Sequence, residues 1–330
     1  MSSERLVTVA VPVHKRLIYL PEVLRAIAAQ NYPQVELIVS DNGTNGCRIP
    51  ELVRQHYPKP FRFRQNPVTV DLPIHLNQLV DQASGYYFVM VCDDDLISGN
   101  YVSSLVESLE RNPDASLAIS KLEAMEENGE TIYAYDGEIP QYLSGIDFLK
   151  AWSCRAPWLV GPLATNLAKT ADLRRWGRHP HWPRAINTDF AIIVRLALNG
   201  SVALNPRCTF RQRRYRSGNH SIVASAEIQE FAEATRKFLT FLEEDATVSE
   251  FAINHSVVWS QLRVLLVQRI WTDYFHWWLH VYRCKLTRGD WIRAAFSMPY
   301  IPSYYASVFS AFFPRTYDAY RAVLGRRARR

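Results

Sequence analysis

Segments rich in β-branched residues alternate with amphipathic segments over the first 120 residues of the chain. The former predict buried strands over residues 6–13, 35–39, 86–92 and 116–120, and a half-exposed strand over residues 61–64. The latter predict helices, one that begins at Pro21 and one that passes through Leu76 and is closed by Gly85. Because strands that alternate with helices usually pair in parallel, the sequence predicts an α/β protein with a mostly parallel central sheet.

The pattern becomes helical towards the C-terminus. An amphipathic helix is predicted over residues 227–244. Thr247 and Glu250 have the spacing of a capping box, which predicts the start of a long helix that runs towards Tyr282. We therefore expect a sheet domain over residues 1–224 and a helical C-terminal region over residues 225–330.

Composition places the chain among ordinary globular proteins. Of its 330 residues 48% are hydrophobic and 21% are charged, which excludes wholesale disorder. The net charge of +6 arises mainly in the last sixteen residues, which hold six arginines and one aspartate, so binding to nucleic acid is not predicted. Five scattered cysteines without a Cys-x-x-Cys pair indicate a reducing compartment, and we expect a cytoplasmic protein. Neither a signal peptide nor a membrane-spanning helix is predicted.

Three consecutive aspartates, Asp93, Asp94 and Asp95, come directly after the predicted strand over residues 86–92. Adjacent carboxylates repel one another, and a bound cation relieves that repulsion. An all-oxygen set of ligands suits Mg²⁺ or Mn²⁺, and open α/β sheets bind ligands at the carboxyl ends of their strands. The alternative is a solvated acidic turn, because aspartate is common in turns.

Two other aspartates are candidate site residues, each with an ordinary structural alternative. Asp41 follows the strand over residues 35–39 and can accept hydrogen bonds from a nucleobase or a ribose, but an Asx turn produces the same pattern. Asp189 stands in the first turn of a predicted helix. There it serves either as a helix cap or as a general base within reach of a hydroxyl group.

A dense basic stretch covers residues 211–216, with the sequence Arg-Gln-Arg-Arg-Tyr-Arg. Most such runs are solvated faces of a strand. Alternatively, arginines of this stretch such as Arg213 and Arg216 bind a diphosphate, because the guanidinium fork matches phosphate oxygens.

Several motifs follow one another along residues 5–222. They are the Val-x-Val-Pro-Val strand that ends at Val13, the turn Asp41-Asn42-Gly43, the segment Cys92-Asp93-Asp94-Asp95, the helix start Thr188-Asp189, and the segment Tyr215-Arg216-x-Gly218-Asn219-x-Ser221. In this order they resemble the family 2 glycosyltransferases of the GT-A fold. The resemblance implies a Rossmann-like nucleotide-binding domain over residues 1–224 that transfers a sugar, with inversion, from a nucleotide-diphosphate sugar to a hydroxyl acceptor.

The resemblance also implies which residues bind the donor. With Arg213 and Arg216 added from the basic stretch, the residues expected to bind the nucleotide sugar are Pro12, Val13, Asp41, Asp93, Asp94, Arg213 and Arg216. Among them, Pro12, Val13 and Asp41 would face the nucleoside, and Asp94 would lie near the ribose and the diphosphate.

The metal and the base are assigned in the same way. The resemblance implies that Asp95 and Asp93 bind Mn²⁺ or Mg²⁺, with Asp93 as the first acid of an Asp-x-Asp reading. It implies that Asp189 is the catalytic base that activates the acceptor hydroxyl. Cys92 occupies a place where many relatives carry an aspartate.

The partners expected from the resemblance are a saccharide or lipid-linked acceptor and a pathway of surface-polysaccharide or glycolipid synthesis. The C-terminal region carries tryptophans near arginines, a composition that suits the membrane interface; they are Trp259, Trp271, Trp277 and Trp278. The same residues suit a helical subdomain packed on the sheet domain or on a second subunit. The resemblance favours peripheral contact with the inner face of the cell membrane.

Two other functions remain open at this stage. A sugar-phosphate nucleotidyltransferase has a similar sheet, but it requires a glycine-rich loop after the first strand, and the segment Val13-His14-Lys15-Arg16 contains no glycine. A non-catalytic, membrane-associated scaffold with the same fold is the second alternative.

Overall fold

The computed structural model describes residues 4–44, 48–156, 158–159, 166–214 and 228–281, without the side chains of residues 228–229 and 274–281. The strands are β1 (Val7–Val13), β2 (Val35–Asp41), β3 (Phe61–Gln65), β4 (Tyr87–Met90), β5 (Leu96–Ile97), β6 (Ala115–Met125), β7 (Thr131–Ala134), β8 (Tyr142–Leu143), β9 (Leu167–Lys169) and β10 (Ser201–Arg213). The helices are α1 (Leu20–Ala28), α2 (Arg48–His56), α3 (Leu72–Gln82), α4 (Tyr101–Arg111), α5 (Gly145–Ser153), α6 (Thr170–Trp176), α7 (Thr188–Leu198), α8 (Ile228–Glu244), α9 (Ala246–Asn254) and α10 (Ser256–Val281).

The strands form one sheet in the order β3-β2-β1-β4-β9-β6-β10-β5, with β7 beside β6 and β8 beside β10. Strands β3, β2, β1 and β4 pair in parallel, and so do β6 and β10. The short strand β9 runs antiparallel between β4 and β6 and joins these two parallel blocks. The predicted α/β class with a mostly parallel central sheet is confirmed, and the helices α8–α10 follow the sheet in the chain.

The burial of the strands follows their sequence pattern. Every residue of β4 and all but one residue of β1 are buried, as expected for continuous apolar runs that are covered on both faces. By contrast, β3 alternates Phe and Arg at the edge of the sheet and is half-exposed, as predicted.

Two apolar cores cover the two faces of the sheet. Alternate residues of β4 point into different cores, because successive side chains of a strand face opposite sides. Helices α1, α2 and α4 contribute to one core. Helices α5 and α7 contribute to the other, together with Phe238 of α8 and Trp259 of α10. Trp259 therefore packs inside the protein, which is one of the two environments that the sequence left open for the C-terminal tryptophans.

An ion pair joins α7 to the C-terminal helices. Nε and Nη2 of Arg195 donate hydrogen bonds to Oδ2 of Asp245 at 3.0 and 2.6 Å. Asp245 is also the N-cap of α9, because its Oδ1 accepts hydrogen bonds from the amides of Thr247 and Val248. The predicted capping box at Thr247 and Glu250 is therefore wrong. The cap lies two residues earlier, and the predicted long helix is divided at His255 into α9 and α10.

The predicted domain boundary at residue 224 lies outside the described residues, and so do the basic tail, Cys47 and Cys284. In the part of the chain that the structure describes, no helix combines the length and the apolar character that crossing a bilayer requires.

The sequence predicted that Gly85 closes the helix through Leu76, and this prediction is wrong. Helix α3 ends at Gln82, and Gly85 instead lies against β1, where its amide donates a hydrogen bond to Oγ1 of Thr8 at 2.9 Å. A Cβ atom at this position would lie 2.5 Å from the main-chain nitrogen of Thr8. Gly85 is thus required for the close approach of the backbone to β1.

We expect Gly85→Ala to lower the free energy of unfolding by about 1–3 kcal/mol, because the added methyl group must displace the backbone of β1. Gly99→Ala is the matched control, since its Cβ atom would meet its nearest neighbour at an ordinary 3.4 Å. Urea denaturation of both variants measures the difference. Equal stability of the two variants would contradict the packing role of Gly85.

Candidate functional site

Three neighbouring strands, β2, β1 and β4, end at the same edge of the sheet. At that edge Val13 of β1 pairs in register with Asp41 of β2, and the acidic loop (residues 92–95) follows β4. The main-chain amide of His14 donates a hydrogen bond to the carboxyl group of Asp93, so the loops after β1 and β4 are in contact. The structure therefore brings the predicted donor residues of this edge together; they are Pro12, Val13, Asp41, Asp93 and Asp94.

The acidic loop concentrates carboxyl groups in a poorly solvated place. Burial, and then the neighbouring charge of Asp94, raise the pKa of Asp93 to about 7. The same two causes raise the pKa of Asp95, which is 5% exposed, well above its usual range. Without a neighbouring positive charge, both carboxyl groups thus tend to keep their protons.

The protein supplies hydrogen bonds that hold this loop in place. Oδ1 of Asp95 accepts a hydrogen bond from the main-chain nitrogen of Arg213 at 2.9 Å, and the thiol of Cys92 also contacts Asp95. Nη2 of Arg16 lies 3.4 Å from Oδ2 of Asp94. These contacts come from the loop after β1 and from the end of β10, so the acidic loop is bound from two sides.

The donor atoms of the acidic loop fit a divalent cation. One ligand atom each of Cys92, Asp94 and Asp95 lies within 4.8 Å of the others. Carboxylate oxygens are the ligands that Mg²⁺ and Mn²⁺ prefer, and the thiol of Cys92 adds a softer donor. A cation would also relieve the repulsion that raises the pKa of Asp95. The sequence paired Asp93 with Asp95 for this role, whereas the structure groups Asp94 with Asp95 and turns Asp93 towards the amide of His14.

Asp41 is fully buried at the end of β2. Its carboxylate accepts hydrogen bonds from the amide and the hydroxyl of Thr44, each at 3.3 Å, and from Nε2 of Gln65 at 3.2 Å. The bond to the amide three residues ahead is the Asx-type turn that the sequence allowed as an alternative.

The turn after Asp41 fits tightly against residues 66–70. Gly43 has a φ angle of +80°, and a Cβ atom there would lie 2.7 Å from the carbonyl carbon of Val68. Oδ1 of Asn42 accepts hydrogen bonds from Nδ2 of Asn66 and from the amide of Val70. The turn after β2 is therefore held tightly in place by residues 66–70.

Asp189 lies in the first turn of α7, and its Oδ1 accepts a hydrogen bond from the amide of Phe190 at 3.0 Å. The residue at the N-cap position is Asn187, which makes no capping bond with its side chain. Asp189 therefore satisfies one amide of the first turn, in keeping with the alternative of a structural role. Burial raises the pKa of Asp189 to about 6, which is the range in which a carboxylate works as a general base near neutral pH.

Asp189 lines a cavity of about 60 Å³ together with Met90 of β4, Asn166 and His179. His179 is a residue that the sequence analysis missed. Its Nδ1 lies 2.9 Å from Oγ1 of Thr188, whose hydroxyl donates to the carbonyl of Ala185, so Nδ1 carries the hydrogen in this contact. Burial lowers the pKa of His179 to about 4, and the ring is therefore neutral at pH 7. In the sequence, only its position ten residues before Asp189 could have pointed to His179, because it belongs to no periodic apolar or polar pattern.

Of the two arginines predicted to bind a diphosphate, the structure describes only Arg213. Arg216 lies outside the described residues. The side chain of Arg213 is fully enclosed, and each of its three nitrogens donates to a protein acceptor, on Glu22, Asp94 or Glu127. A direct contact between Arg213 and a diphosphate would require these hydrogen bonds to break.

The structure does not link the predicted base directly to the acidic loop. Over the described ranges no hydrogen bond or ion pair joins Asp189 to residues 92–95. What they share is β4, because Met90 lines the cavity of Asp189 and the acidic loop begins two residues later. Both groups thus lie near the end of β4, Asp189 beside its last residue and the acidic loop just after it.

Comparisons with known proteins agree with this geometry. Residues 8–153 match the family model described as Glycosyl transferase family 2. The chain is 26% identical over 161 residues to "Succinoglycan biosynthesis protein ExoM" of Rhizobium meliloti (strain 1021). That alignment covers 47% of this chain and 48% of the relative, so the chain matches about half the length of this curated protein.

Solved structures of S. aureus TarS 1–349 resemble the whole described fold. The TM-score is 0.63 at 15% sequence identity, over 95% of this chain and 82% of that chain. The complex with UDP-GlcNAc gives a TM-score of 0.61 at 16% identity, over 95% of this chain and 83% of that chain. At these identities the likeness shows the fold, which is of the expected GT-A type. The match over residues 8–153, together with the motifs and the sheet, supports a glycosyltransferase similar to those of family 2.

Proposed function

We propose that this chain transfers a sugar from a nucleoside-diphosphate sugar to a hydroxyl group of a saccharide or lipid-linked acceptor, with inversion at the anomeric carbon. The observation that carries the proposal is the partly buried acidic loop at the carboxyl edge of the parallel strands, the edge at which Asp41 also lies. The names of the relatives support it, since ExoM is a succinoglycan biosynthesis protein and TarS structures hold UDP and UDP-GlcNAc. We accordingly place the reaction in surface-polysaccharide or glycolipid synthesis.

In this proposal the edge of the sheet binds the donor. Pro12, Val13 and Asp41 face the nucleoside, and Asp94 lies near the ribose and the diphosphate. Asp95 holds the metal ion, and the negative charge of Asp93 strengthens the site from the side of His14. Mn²⁺ or Mg²⁺ bound there would supply positive charge against the departing diphosphate.

Asp189 is the proposed base. Its carboxylate takes the proton of the acceptor hydroxyl while that oxygen attacks the anomeric carbon. The apolar walls of its cavity support this role, because poor solvation of the carboxylate raises its pKa into the range of a general base. His179 lines the same cavity and is neutral, so it adds no positive charge that would lower the pKa of Asp189.

The family assignment favours sugar transfer over the nucleotidyltransferase alternative, and transfer assays separate an enzyme from a scaffold. Direct assistance of the diphosphate by Arg216, a cytoplasmic location, contact with a membrane surface and an oligomeric state belong to the proposal as predictions from the sequence.

The donor and the metal are tested by thermal unfolding with a panel of nucleotide sugars. A donor at one hundred times its Kd adds about 2.7 kcal/mol to the stability of the folded protein. The Tm of the protein should therefore rise by several degrees when the donor and Mn²⁺ are both present. We expect Asp95→Asn to abolish this rise. Asp172→Asn, which alters a half-buried aspartate of α6, is the control and should keep it. A donor-induced rise that survives in Asp95→Asn would contradict the metal role of that residue.

We expect Asp189→Asn to lower kcat by about 10²–10⁴-fold, because the amide cannot accept the proton of the acceptor. The donor-induced rise in Tm should remain as in the wild-type protein, since Asp189 does not take part in donor binding. Transfer to a known acceptor is measured under saturating Mn²⁺. Turnover within tenfold of the wild-type rate would exclude Asp189 as the base.

The pH dependence of transfer should report the same group. A base must be deprotonated, and burial raises the pKa of Asp189 to about 6. We therefore expect kcat to be level above about pH 7 and to fall roughly tenfold for each unit below pH 6. The residual activity of Asp189→Asn should lack this acid limb. A wild-type profile that stays level down to pH 5, in protein that remains folded, would contradict the assignment.

A further inference from the structure

We propose that Arg213 is a positioning residue that fixes the acidic loop in the geometry needed for metal binding, and not a ligand of the diphosphate. The inference rests on the proposed function and deepens it, because it identifies what prepares the metal site. Its basis is a pair of hydrogen bonds from Arg213 to the acidic loop, one to Asp95 and one to Asp94.

Arg213 binds two successive residues of the acidic loop. Its main-chain nitrogen donates to Oδ1 of Asp95 at 2.9 Å, and its Nε donates to the carbonyl oxygen of Asp94 at 2.9 Å. The first bond orients the carboxylate of Asp95, and the second restrains the backbone that carries it. One residue thus controls both the side chain and the main chain of the proposed metal ligand.

The other end of the guanidinium is anchored in the body of the protein. Nη2 forms an ion pair of 2.8 Å with Glu22 in the first turn of α1, and Nη1 donates to the carbonyl oxygen of Glu127 in the β6–β7 hairpin. The guanidinium carbon also lies 4.1 Å from the centre of the Tyr19 ring. The acidic loop is therefore tied to α1 and to the hairpin through a single side chain.

Burial makes this arrangement costly to disturb. The side chain of Arg213 has 0% exposure, and a buried cation is stable only when its donors are paired. Because every nitrogen of the guanidinium already donates to a protein acceptor, the side chain is committed to structure. A lysine has one nitrogen and cannot reproduce a planar fork that reaches three separate acceptors.

Arg211 provides a matched control on the same strand. It also binds the β6–β7 hairpin, since its Nη2 donates to the carbonyl of Gly129 and to Oγ1 of Thr131, and it pairs with Glu123. None of these contacts reaches the acidic loop. The change Arg211→Lys therefore removes a guanidinium from the same strand and leaves the contacts of residues 92–95 unchanged.

The test is the affinity of full-length protein for Mn²⁺, read from the electron paramagnetic resonance signal of free Mn²⁺. Partners that orient metal ligands typically contribute 10–100-fold to metal affinity, so we expect Arg213→Lys to weaken Mn²⁺ binding by about that factor. Arg211→Lys should stay within about twofold of the wild-type affinity. In transfer assays, high Mn²⁺ should restore the kcat of Arg213→Lys. Hydrogen exchange of a peptide covering residues 92–97 should be faster in metal-free Arg213→Lys than in Arg211→Lys.

Glu22→Gln keeps the test decisive if Arg213→Lys does not fold. Glu22 is about half-exposed, and its replacement by Gln removes the negative charge opposite Nη2 of Arg213, while the amide oxygen can still accept that hydrogen bond. One anchor of Arg213 is thereby weakened, so Mn²⁺ binding should weaken by a smaller factor. The proposal is overturned if Mn²⁺ affinity and loop exchange are unchanged in these variants. A simultaneous loss of affinity for a nucleoside diphosphate without metal would then identify Arg213 as a ligand of the diphosphate. Wild-type protein that neither binds Mn²⁺ nor transfers a sugar would instead overturn the proposed function, and this inference with it.

Discussion

Holding carboxyl groups close together at the end of β4 carries an electrostatic cost that shapes the whole functional edge. Asp95 is buried and the rest of the loop is half-buried, so water screens the repulsion poorly, and burial and then the charge of Asp94 raise the pKa of Asp95. Main-chain amides of His14 and Arg213 offset part of this cost. Because those amides come from the ends of β1 and β10, the loop requires the complete sheet around it.

The central strands could be predicted because their signal is local. The runs in β1, β2 and β4 are apolar enough to identify buried parallel strands without knowledge of their neighbours. The short strands β5, β8 and β9 have two or three residues each, too few for any periodicity to register. Strand β9 in particular takes its place from pairing with β4 and β6, which is tertiary information.

In the candidate site, too, the features with a local sequence signal could be predicted and the long-range contacts could not. Asp41 and the acidic loop stand directly after predicted strands, so their common edge followed from the topology of a parallel sheet. The contacts of Glu22 and Glu127 with Arg213 join residues far apart in the chain, and nothing local announces them. The basic stretch illustrates the limit. Its composition indicated either solvated charge or a phosphate site, yet Arg213 is buried because the acidic loop and α1 close over it.

The C-terminal helices belong to the same physical argument. Helix α7 presents Asp189 at its first turn, and Arg195, less than two turns further on, is held by Asp245 at 2.6 Å. Asp245 also begins α9, while Phe238 of α8 and Trp259 of α10 share a core with α7. A change in these helices would therefore move the helix of the proposed base rather than a separate appendage. Strand β10 holds the acidic loop through Arg213, and α8–α10 pack against the helix of the proposed base. Segments that follow the residues 8–153 matched to the family model therefore contribute to both halves of the proposed reaction.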